Sequence, residues 1–346
     1  MSRFKYFPLI KTRDAELKCF QNLGSNVLDS ILPIYELTKS RKTTRTPDGD
    51  IHRRMNQISE IQQGRPFILD LCTNDNYINP QIEQLIDEYN GFHDWQYFIT
   101  LYQDMNIIPM IHLYQDAGQT YPEVEKFVKD MSSVKANLAV RLPYDLERDD
   151  INVYLEPIIN NLNENCTLFV ILDANYIRNS NIDDIVYNFS TSSNEIRTYG
   201  NKIEDIIMLC TSFPRSPASL GEDHQGSFKI YEEEIFRKLK NKMKYGDYAS
   251  VNTEQVEIKG GTFIPRIDIS LEDTFIYKRY RREKGSYNLC AIEMKKDHRY
   301  QQINSWADKE IDLASKGKPT GISPSFWISV RMNYYITSRL ALRLQD

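Results

Sequence analysis

The stretch Thr167-Leu168-Phe169-Val170-Ile171-Leu172-Asp173 decides the fold. It is an uninterrupted apolar run, rich in β-branched residues, that stops at a carboxylate. Such a run predicts a strand buried on both faces, which is typical of a parallel sheet covered by helices. A half-solvated antiparallel strand would alternate apolar and polar residues instead. We therefore expect an α/β protein.

The same pattern recurs from the N-terminus to about residue 250, each apolar run ending near a polar residue and lying next to a helical segment. The predicted strands are 5–10, 31–35, 66–69, 107–111, 137–140, 167–172, 205–210 and 245–251. Eight strand and helix units over this length predict a TIM-type (β/α)8 barrel. An open doubly wound sheet is the alternative, but no Gly-rich phosphate loop or switch-point pattern favours it.

The pattern changes towards the C-terminus. Segments 263–270, 274–280 and 288–293 read as strands of an antiparallel β appendage, with 279–285 as a hairpin tip. The apolar spacing in 326–344 predicts a terminal helix. We therefore predict a barrel over residues 1–258 and a C-terminal β-hairpin and helix extension over 259–346 that packs on it.

Composition excludes several classes of protein. The 346 residues are 41% hydrophobic and 26% charged, which is ordinary for a globular protein and excludes wholesale disorder. A net charge of −5 argues against a general polyanion-binding surface but allows a local basic patch. The five cysteines form no C-x-x-C pair, which predicts reduced thiols in the cytoplasm. We find no signal peptide and no apolar run of the roughly 20 residues needed to span a membrane.

Polar residues at the strand ends form the candidate catalytic set. The set comprises Lys11, Glu36, Asp70, His112, Arg141, Asp173, Ser212 and Asp247. In such barrels catalytic groups come from the C-terminal ends of several strands, so we expect these side chains to converge at one mouth. One polar strand end is more often structural than catalytic. The recurrence at nearly every strand is what indicates a pocket.

Divalent-metal hydrolysis of a phosphoester fits this set best. The predicted metal ligands are the carboxylates Glu36, Asp70 and Asp173. They would hold a hard cation such as Mg²⁺, with His112 as acid or base and Lys11 or Arg141 on the phosphate. No H-E-x-x-H, Walker, G-x-S-x-G or Cys/His zinc motif occurs.

Two basic stretches predict a nucleic-acid interface. Its candidate residues are Arg53, Arg54, Lys278, Arg279, Arg281 and Arg282. The first stretch, 39–54, reads as a mobile surface loop, and the second carries Tyr277 and Tyr280 among its cations. Cations with interleaved aromatic rings suit single-stranded nucleic acid. Solvated loops on an acidic protein are the alternative interpretation.

Four stretches together resemble the beta protein family, known from bacteria and T-even phages. They are Tyr6-Phe7-Pro8-Leu9-Ile10-Lys11 with Glu16, Leu32-Pro33-Ile34-Tyr35-Glu36, Tyr245-Gly246-Asp247-Tyr248, and Trp327 with Asn333-Tyr334-Tyr335-Ile336-Thr337. Two positions depart from the family's pattern, since Ala15 stands where glycine is usual and Tyr334-Tyr335 stand where two histidines are usual. The resemblance implies a phage or antiviral-defence setting. It adds Glu16, Tyr248 and Asn333 to the candidate functional positions.

These observations leave two functions open. One is a hydrolase acting on a nucleotide or nucleic acid at the barrel mouth. The other is a non-catalytic recognition or effector subunit that binds a protein or nucleic-acid partner. Carboxylate oxygens of Glu36, Asp70 and Asp173 within reach of one metal ion would favour the enzyme, whereas strand-end side chains closed off in salt bridges, with no cavity, would exclude it.

Overall fold

The computed structural model describes residues 3–240, 242–253 and 263–345. Within them eight parallel strands close into a barrel in the order β1-β2-β3-β4-β5-β6-β7-β9, which confirms the predicted architecture. The strands are β1 Tyr6–Lys11, β2 Ile34–Leu37, β3 Phe67–Leu71, β4 Ile107–Ile111, β5 Asn137–Pro143, β6 Thr167–Tyr176, β7 Ile203–Thr211 and β9 Lys244–Asp247. An additional strand, β8 Gln225–Lys229, lies outside the barrel.

Helices lie between the strands and in the C-terminal part of the chain. They are α1 Asp14–Gln21, α2 Ser25–Leu28, α3 Ile51–Gln62, α4 Pro80–Ile86, α5 Tyr89–Leu101, α6 Pro122–Ser132, α7 Arg148–Asn161, α8 Ile182–Ile196, α9 Glu232–Leu239, α10 Ser286–Lys296, α11 Trp306–Ser315 and α12 Pro324–Gln345. Helix α3 begins at Ile51 because Asp50 caps it, its side chain accepting from the His52 amide. The predicted loop 39–54 therefore ends in a helix.

Strand register decides which side chains face the barrel interior. Because side chains alternate along a strand, residues two apart share a face. The interior core contains Phe7, Leu9, Ile34, Ile68, Ile108, Met110, Ala139, Phe169, Ile171, Ile207 and Leu209. Two positions beyond Leu9, Ile34 and Ile68 come Lys11, Glu36 and Asp70, and pairing aligns Lys11 with Glu36 and Glu36 with Asp70. The inner face thus changes from apolar to charged in one step at the C-terminal end.

The antiparallel sheet beside the barrel has three strands in the order β10-β11-β8. Strands β10 Arg266–Ser270 and β11 Thr274–Arg279 form the hairpin, whose turn lies at 271–273. The predicted tip at 279–285 is therefore wrong, since those residues link β11 to α10. The predicted strand 288–293 is also wrong. It belongs to α10, where Tyr287, Cys290, Ala291 and Met294 are buried at helical spacing.

Helix α12 joins the C-terminal part to the barrel, as expected for the predicted terminal helix. It packs against α1, β10 and α11. Arg339 of α12 donates to the carbonyl groups of Leu271 and Glu272 in the β10–β11 turn and forms an ion pair with Glu233 of α9, 3.2 Å between Nη1 and Oε2. The predicted boundary between residues 258 and 259 lies outside the described residues.

Composition predicted reduced cysteines and no membrane-spanning segment, and the structure describes both the cysteines and the helices. All five cysteines are free and buried. No helix in the described part of the chain is both long and apolar enough to cross a membrane.

Candidate functional site

Seven ionisable side chains meet at the C-terminal ends of the barrel strands. We call them the mouth cluster: Lys11, Glu36, Asp70, His112, Arg141, Asp173 and Tyr248. Each comes from a different strand or from the residue that follows one. Six were predicted from the strand ends and Tyr248 from the family resemblance, so the expected convergence is present for these seven.

Arg141 lies at the centre of the mouth cluster. Its Nη2 is 3.1 Å from Asp70 Oδ2 and 3.4 Å from Glu36 Oε1, and its Nη1 is 3.8 Å from Asp173 Oδ2. Lys11 Nζ forms a second ion pair with Glu36. The Tyr248 hydroxyl donates to Asp173 Oδ2 at 2.6 Å. The Arg141 guanidinium group therefore faces three carboxylates, and the Lys11 amine also contacts one of them, Glu36.

The two innermost carboxylates differ in acidity. Burial alone would raise the pKa of Glu36, but Lys11 and Arg141 outweigh it and hold the pKa below its usual range. For Asp70 burial outweighs Arg141, so its pKa rises to about 6. The neighbouring charge of Glu36 raises the pKa of Asp70 further, and the hydrogen bond that Asp70 Oδ1 accepts from the Leu71 amide does not offset burial. Asp70 Oδ2 makes no hydrogen bond among the described residues. Asp70 is thus the member best suited to exchange a proton near neutral pH.

His112 is neutral rather than an imidazolium at physiological pH. Burial, reinforced by Arg141, lowers its pKa to about 3. Its Nδ1 lies 3.9 Å from Asp70 Oδ1, too far for a hydrogen bond. The ring packs against Phe92 and Trp95. An acid role for His112 is therefore weakened, and its buried Nε2 has no hydrogen-bond partner among the described residues.

The three predicted metal ligands are not arranged to bind a metal ion. Glu36, Asp70 and Asp173 do face one point, but the Arg141 guanidinium occupies it. Within the described ranges, no group of three or more His, Cys, Asp or Glu side chains is arranged to hold a metal ion. A cation such as Mg²⁺ needs free carboxylate oxygens and open positions for water. The residues present do not fit a divalent metal in this arrangement.

Ser212 and Asp247 lie outside the mouth cluster. Asp247 faces outward from the barrel and accepts hydrogen bonds from the hydroxyl groups of Tyr6, Tyr245 and Tyr335, at 2.6, 2.8 and 2.6 Å. The alternation along β9 could have revealed this, because Tyr245 and Asp247 share one face and Gly246 and Tyr248 the other.

Ser212 is buried beside α9. Its hydroxyl group and its amide both bind the carboxylate of Glu232, the first residue of α9. It therefore ties the end of β7 to that helix.

The predicted nucleic-acid residues do not form one surface of free cations. Arg54 is buried and pairs with Asp14 at 2.8 Å, and Lys278 is buried and pairs with Asp297 at 3.1 Å. The other four are Arg53, Arg281 and Arg282, which are exposed, and Arg279, which pairs with Asp223.

A basic cleft lies next to the mouth, and the sequence did not reveal it. Its volume is about 440 Å³. Its cationic lining residues, which define the basic cleft from here on, are Arg13, Lys39, Arg41, Lys42, Arg54 and Arg331. They come from four separate parts of the chain, so no single run of charge marks the whole cleft. Lys39, Arg41, Lys42 and Arg54 lie in the basic stretch 39–54, whereas Arg13 and Arg331 lie outside it.

The remaining positions from the family resemblance are Glu16 and Asn333. Glu16 is buried and lines both the basic cleft and a small cavity of about 10 Å³ that Lys11 and Tyr248 also line. Asn333 donates to the Asn22 carbonyl at 3.0 Å and accepts from the Ala307 amide at 3.2 Å, which joins α12 to the end of α1 and to α11. Glu16 thus lies at the site, whereas Asn333 serves packing.

The fold and the mouth cluster define an α/β-barrel protein with a charged C-terminal mouth. The sequence profile of the family described as Beta protein matches residues 6–341, so the chain belongs to that family. A relative, "Protein beta" of Enterobacteria phage P4, is 27% identical over 98% of this chain and 94% of its own length.

A solved structure is similar only at a low level. The GH18 chitinase ChiB from the chitin utilization locus of Flavobacterium johnsoniae aligns over 97% of this chain and 94% of its own, with 12% identity and a TM-score of 0.32. At that TM-score the likeness carries no argument about fold or function.

Proposed function

We propose that the mouth cluster binds and hydrolyses a phosphate-containing substrate, a nucleotide or a nucleic acid, in a cytoplasmic, phage- or defence-associated setting. One observation carries the proposal: Arg141 pairs with Asp70, a buried acid whose pKa is about 6, and a second cation, Lys11, pairs with the neighbouring Glu36. Cations bind phosphate oxygens, and an acid titrating near neutral pH can transfer a proton to the leaving group.

The residues suggest a division of roles. Arg141 would bind the phosphate through its planar fork, exchanging part of its contact with Asp70 and Asp173 for phosphate oxygens. Water attacks phosphorus and the bond to the leaving oxygen breaks. Asp70 in its protonated form gives that oxygen its proton, while Asp173, the most exposed carboxylate of the cluster at 16%, takes the proton of the attacking water. No step passes through a metal ion, because the carboxylates do not fit one.

The test is a turnover assay on purified protein with nucleotides, RNA and single-stranded DNA, each with Mg²⁺ and with EDTA. We expect turnover that survives EDTA and falls by about 10² or more in Asp70→Asn, the size typical of lost acid–base catalysis. Asp104→Asn, an exposed residue before β4 at the opposite end of the barrel, is the matched control. Full activity in a folded Asp70→Asn protein would exclude this role.

A non-catalytic recognition subunit is the second candidate. It is favoured by the ion pairs that already engage Arg141 and Lys11, because closed pairs lower the free energy available for binding a substrate phosphate. Absence of turnover on the whole panel, together with loss of partner binding in a folded Glu36→Ala/Asp70→Ala variant, would support this function. If that variant keeps full biological activity, the mouth cluster serves neither function.

A further inference from the structure

The basic cleft carries more positive charge than its own carboxylates can balance. Six of its lining residues are Lys or Arg and two, Asp14 and Glu16, are acidic. The other lining residues are Ala15, Ser40, Tyr77, Val251, Ser325 and Ile328. The protein as a whole has a net charge of −5, so this concentration of cations in one cleft is opposite in sign to the net charge of the chain. A concave surface of one sign focuses its field on ligands of the opposite sign.

The cations at the base of the cleft are fixed by ion pairs. Arg54 pairs with Asp14 at 2.8 Å. Arg331 lies 3.4 Å from Asp268 Oδ2, but that carboxylate is shared with Arg266, whose Nε is 2.6 Å from Oδ1. One carboxylate therefore faces two guanidinium groups, which leaves a positive charge at the base of the cleft.

The cations at the rim are available for a ligand. Arg41 and Lys42 are exposed, and Lys39 is partly exposed. None of the three forms an ion pair with another residue of the described chain. Arg13 stacks its guanidinium on the Tyr77 ring at 4.9 Å from the ring centre. The rim thus supplies three charges that no carboxylate of the described residues balances directly.

Two helices also begin at the cleft. The first turn of α1 contributes Asp14 to Glu16, and α12, which is 22 residues long, contributes Ser325. Helix N-termini present amide groups and a partial positive charge, so both favour an anion. The volume of about 440 Å³ lies within the range of small-molecule sites, roughly 300 to 1,000 Å³. The space suits several phosphate groups better than one small ion.

The cleft adjoins the mouth cluster. Glu16 and Val251 line the cleft and also the small cavity that Lys11 and Tyr248 line. The cleft and Lys11 are therefore separated by this small cavity. This position is where a substrate-binding extension of the mouth should lie.

We infer that the basic cleft binds a series of phosphate groups, either the backbone of a single-stranded nucleic acid or the polyphosphate of a nucleotide, and presents the ligand to the mouth. Binding stands on the cleft alone, whereas its link to turnover rests on the proposed function. Tyr77 and Arg13 at the wall add a planar surface against which a base can pack.

Binding is tested with three probes: a fluorescent oligothymidylate, ATP and inorganic tripolyphosphate. The test variant is Lys39→Gln/Arg41→Gln/Lys42→Gln. The matched control is Lys5→Gln/Lys129→Gln/Lys309→Gln, which removes three exposed charges outside the cleft and outside the predicted nucleic-acid residues and changes the net charge equally. Thermal unfolding confirms that both variants fold.

We expect affinity for at least one probe to fall about tenfold or more in the cleft variant and less than about threefold in the control. For the oligonucleotide, the slope of log affinity against log salt should also decrease by about 2, since each contact with a single strand contributes about 0.7. Binding of oligothymidylate alone would identify a single-stranded nucleic acid as the ligand. Binding of ATP and tripolyphosphate would identify the polyphosphate of a nucleotide. Equal losses in both variants, or no binding of any probe, would overturn the inference.

Asp70→Asn separates this inference from the proposed function. The substituted position lies outside the basic cleft, so in an Asp70→Asn background the three cleft substitutions should still lower probe affinity about tenfold or more, whether or not turnover is lost. Loss of probe binding in the cleft variant with unchanged turnover would contradict the link between cleft and mouth and leave the proposed function intact.

Discussion

Arg141 occupies the position that the sequence assigned to a metal ion. Three carboxylates, on β2, β3 and β6, need a cation, because burying unpaired charge is costly. That cation was expected from solution, but β5 supplies it as a guanidinium within 3.1 to 3.8 Å of all three. The residue types at the strand ends were thus informative about convergence and charge balance, and less so about which cation provides the balance.

Removing Arg141 should destabilise the protein. Arg141→Met leaves three carboxylates facing one another, and we expect a loss of about 2 to 4 kcal/mol in the free energy of unfolding. This lies towards the lower part of the cost of breaking a buried pair, since 21% of the side chain is exposed. Urea denaturation measures it, with exposed Arg53→Met as control. Adding Asp70→Asn to Arg141→Met should recover part of the loss, and a further loss instead would contradict the charge-balance argument.

Asp70→Asn and Glu36→Gln should differ in their dependence on pH. Asp70 has its pKa raised to about 6, so the unfolded chain loses its proton first and wild-type stability falls as pH rises from about 4 to 6. The amide introduced by Asp70→Asn cannot ionise. As pH rises across that window, the free energy of unfolding of the variant should therefore increase relative to that of wild type, by up to about 3 kcal/mol. Urea unfolding at pH 4 and pH 7 measures this difference. A variant that becomes less stable relative to wild type between pH 4 and pH 7 would contradict the raised pKa of Asp70.

Glu36 behaves in the opposite sense. Its pKa is lowered because Lys11 and Arg141 outweigh burial, so its charge stabilises the fold above about pH 4 and loses that effect as pH falls through the folded-state value. Glu36→Gln should therefore destabilise the protein at pH 7 and much less at acidic pH. The same urea titrations report this, and a cost that does not change with pH would count against the ion pairs.

At the level of elements, α12 is attached to the barrel by polar contacts as well as by packing. Tyr335 of α12 donates to Asp247 of β9, and Arg343 and Arg339 both pair with Glu233 of α9. A histidine pair is usual in the family at Tyr334-Tyr335. Since Tyr335 faces the outer side of β9 and not the mouth, its place in this chain is structural.

Tyr335→Phe tests that attachment. The change removes one of the three tyrosine hydroxyl groups bound to Asp247, and burial already raises the pKa of that carboxyl. We expect a loss of about 1 to 2 kcal/mol, as for other buried hydrogen bonds to a charged group. Exposed Tyr187→Phe is the control. A Tyr335→Phe protein as stable as wild type would show that the remaining donors suffice.

The sequence predicted the elements of the barrel better than the elements outside it. Apolar runs such as 167–172 are short and rich in β-branched residues, which favours a buried strand over a helix. Segment 288–293 was misread because a short run cannot distinguish helical from strand spacing without its flanking residues. Asp247 was assigned to the mouth because it ends a strand, although its parity with Tyr245 places it outside. The basic cleft could not be predicted, since its cations converge only after folding.

At the scale of the whole molecule, the barrel closes through β9, and the C-terminal part is joined to the barrel segment of the chain by a shared three-stranded sheet and by α12. Strand β8 comes from between β7 and α9 but pairs with β11. We therefore expect a chain ending before α12, at residue 323, to lose cooperative folding. It lacks the contacts of α12 with α1 and β10 and leaves Glu233 and Asp247 buried without their partners on α12.

Circular dichroism and urea unfolding check this prediction. The truncated chain should show no cooperative transition, because the lost contacts exceed the roughly 5 to 15 kcal/mol by which domains are stable. A shorter deletion that removes only exposed Leu344 and the residues after it is the control. Cooperative unfolding of the 323-residue chain would mean that the rest of the chain folds without α12.

The position of β8 also sets an order of events during synthesis. When the ribosome has released only the barrel strands, the 225–229 segment has no neighbour for its backbone amide and carbonyl groups. Its partner β11 emerges about 45 residues later, counted from 229 to 274. The nascent chain therefore carries unpaired backbone groups at this segment for that interval.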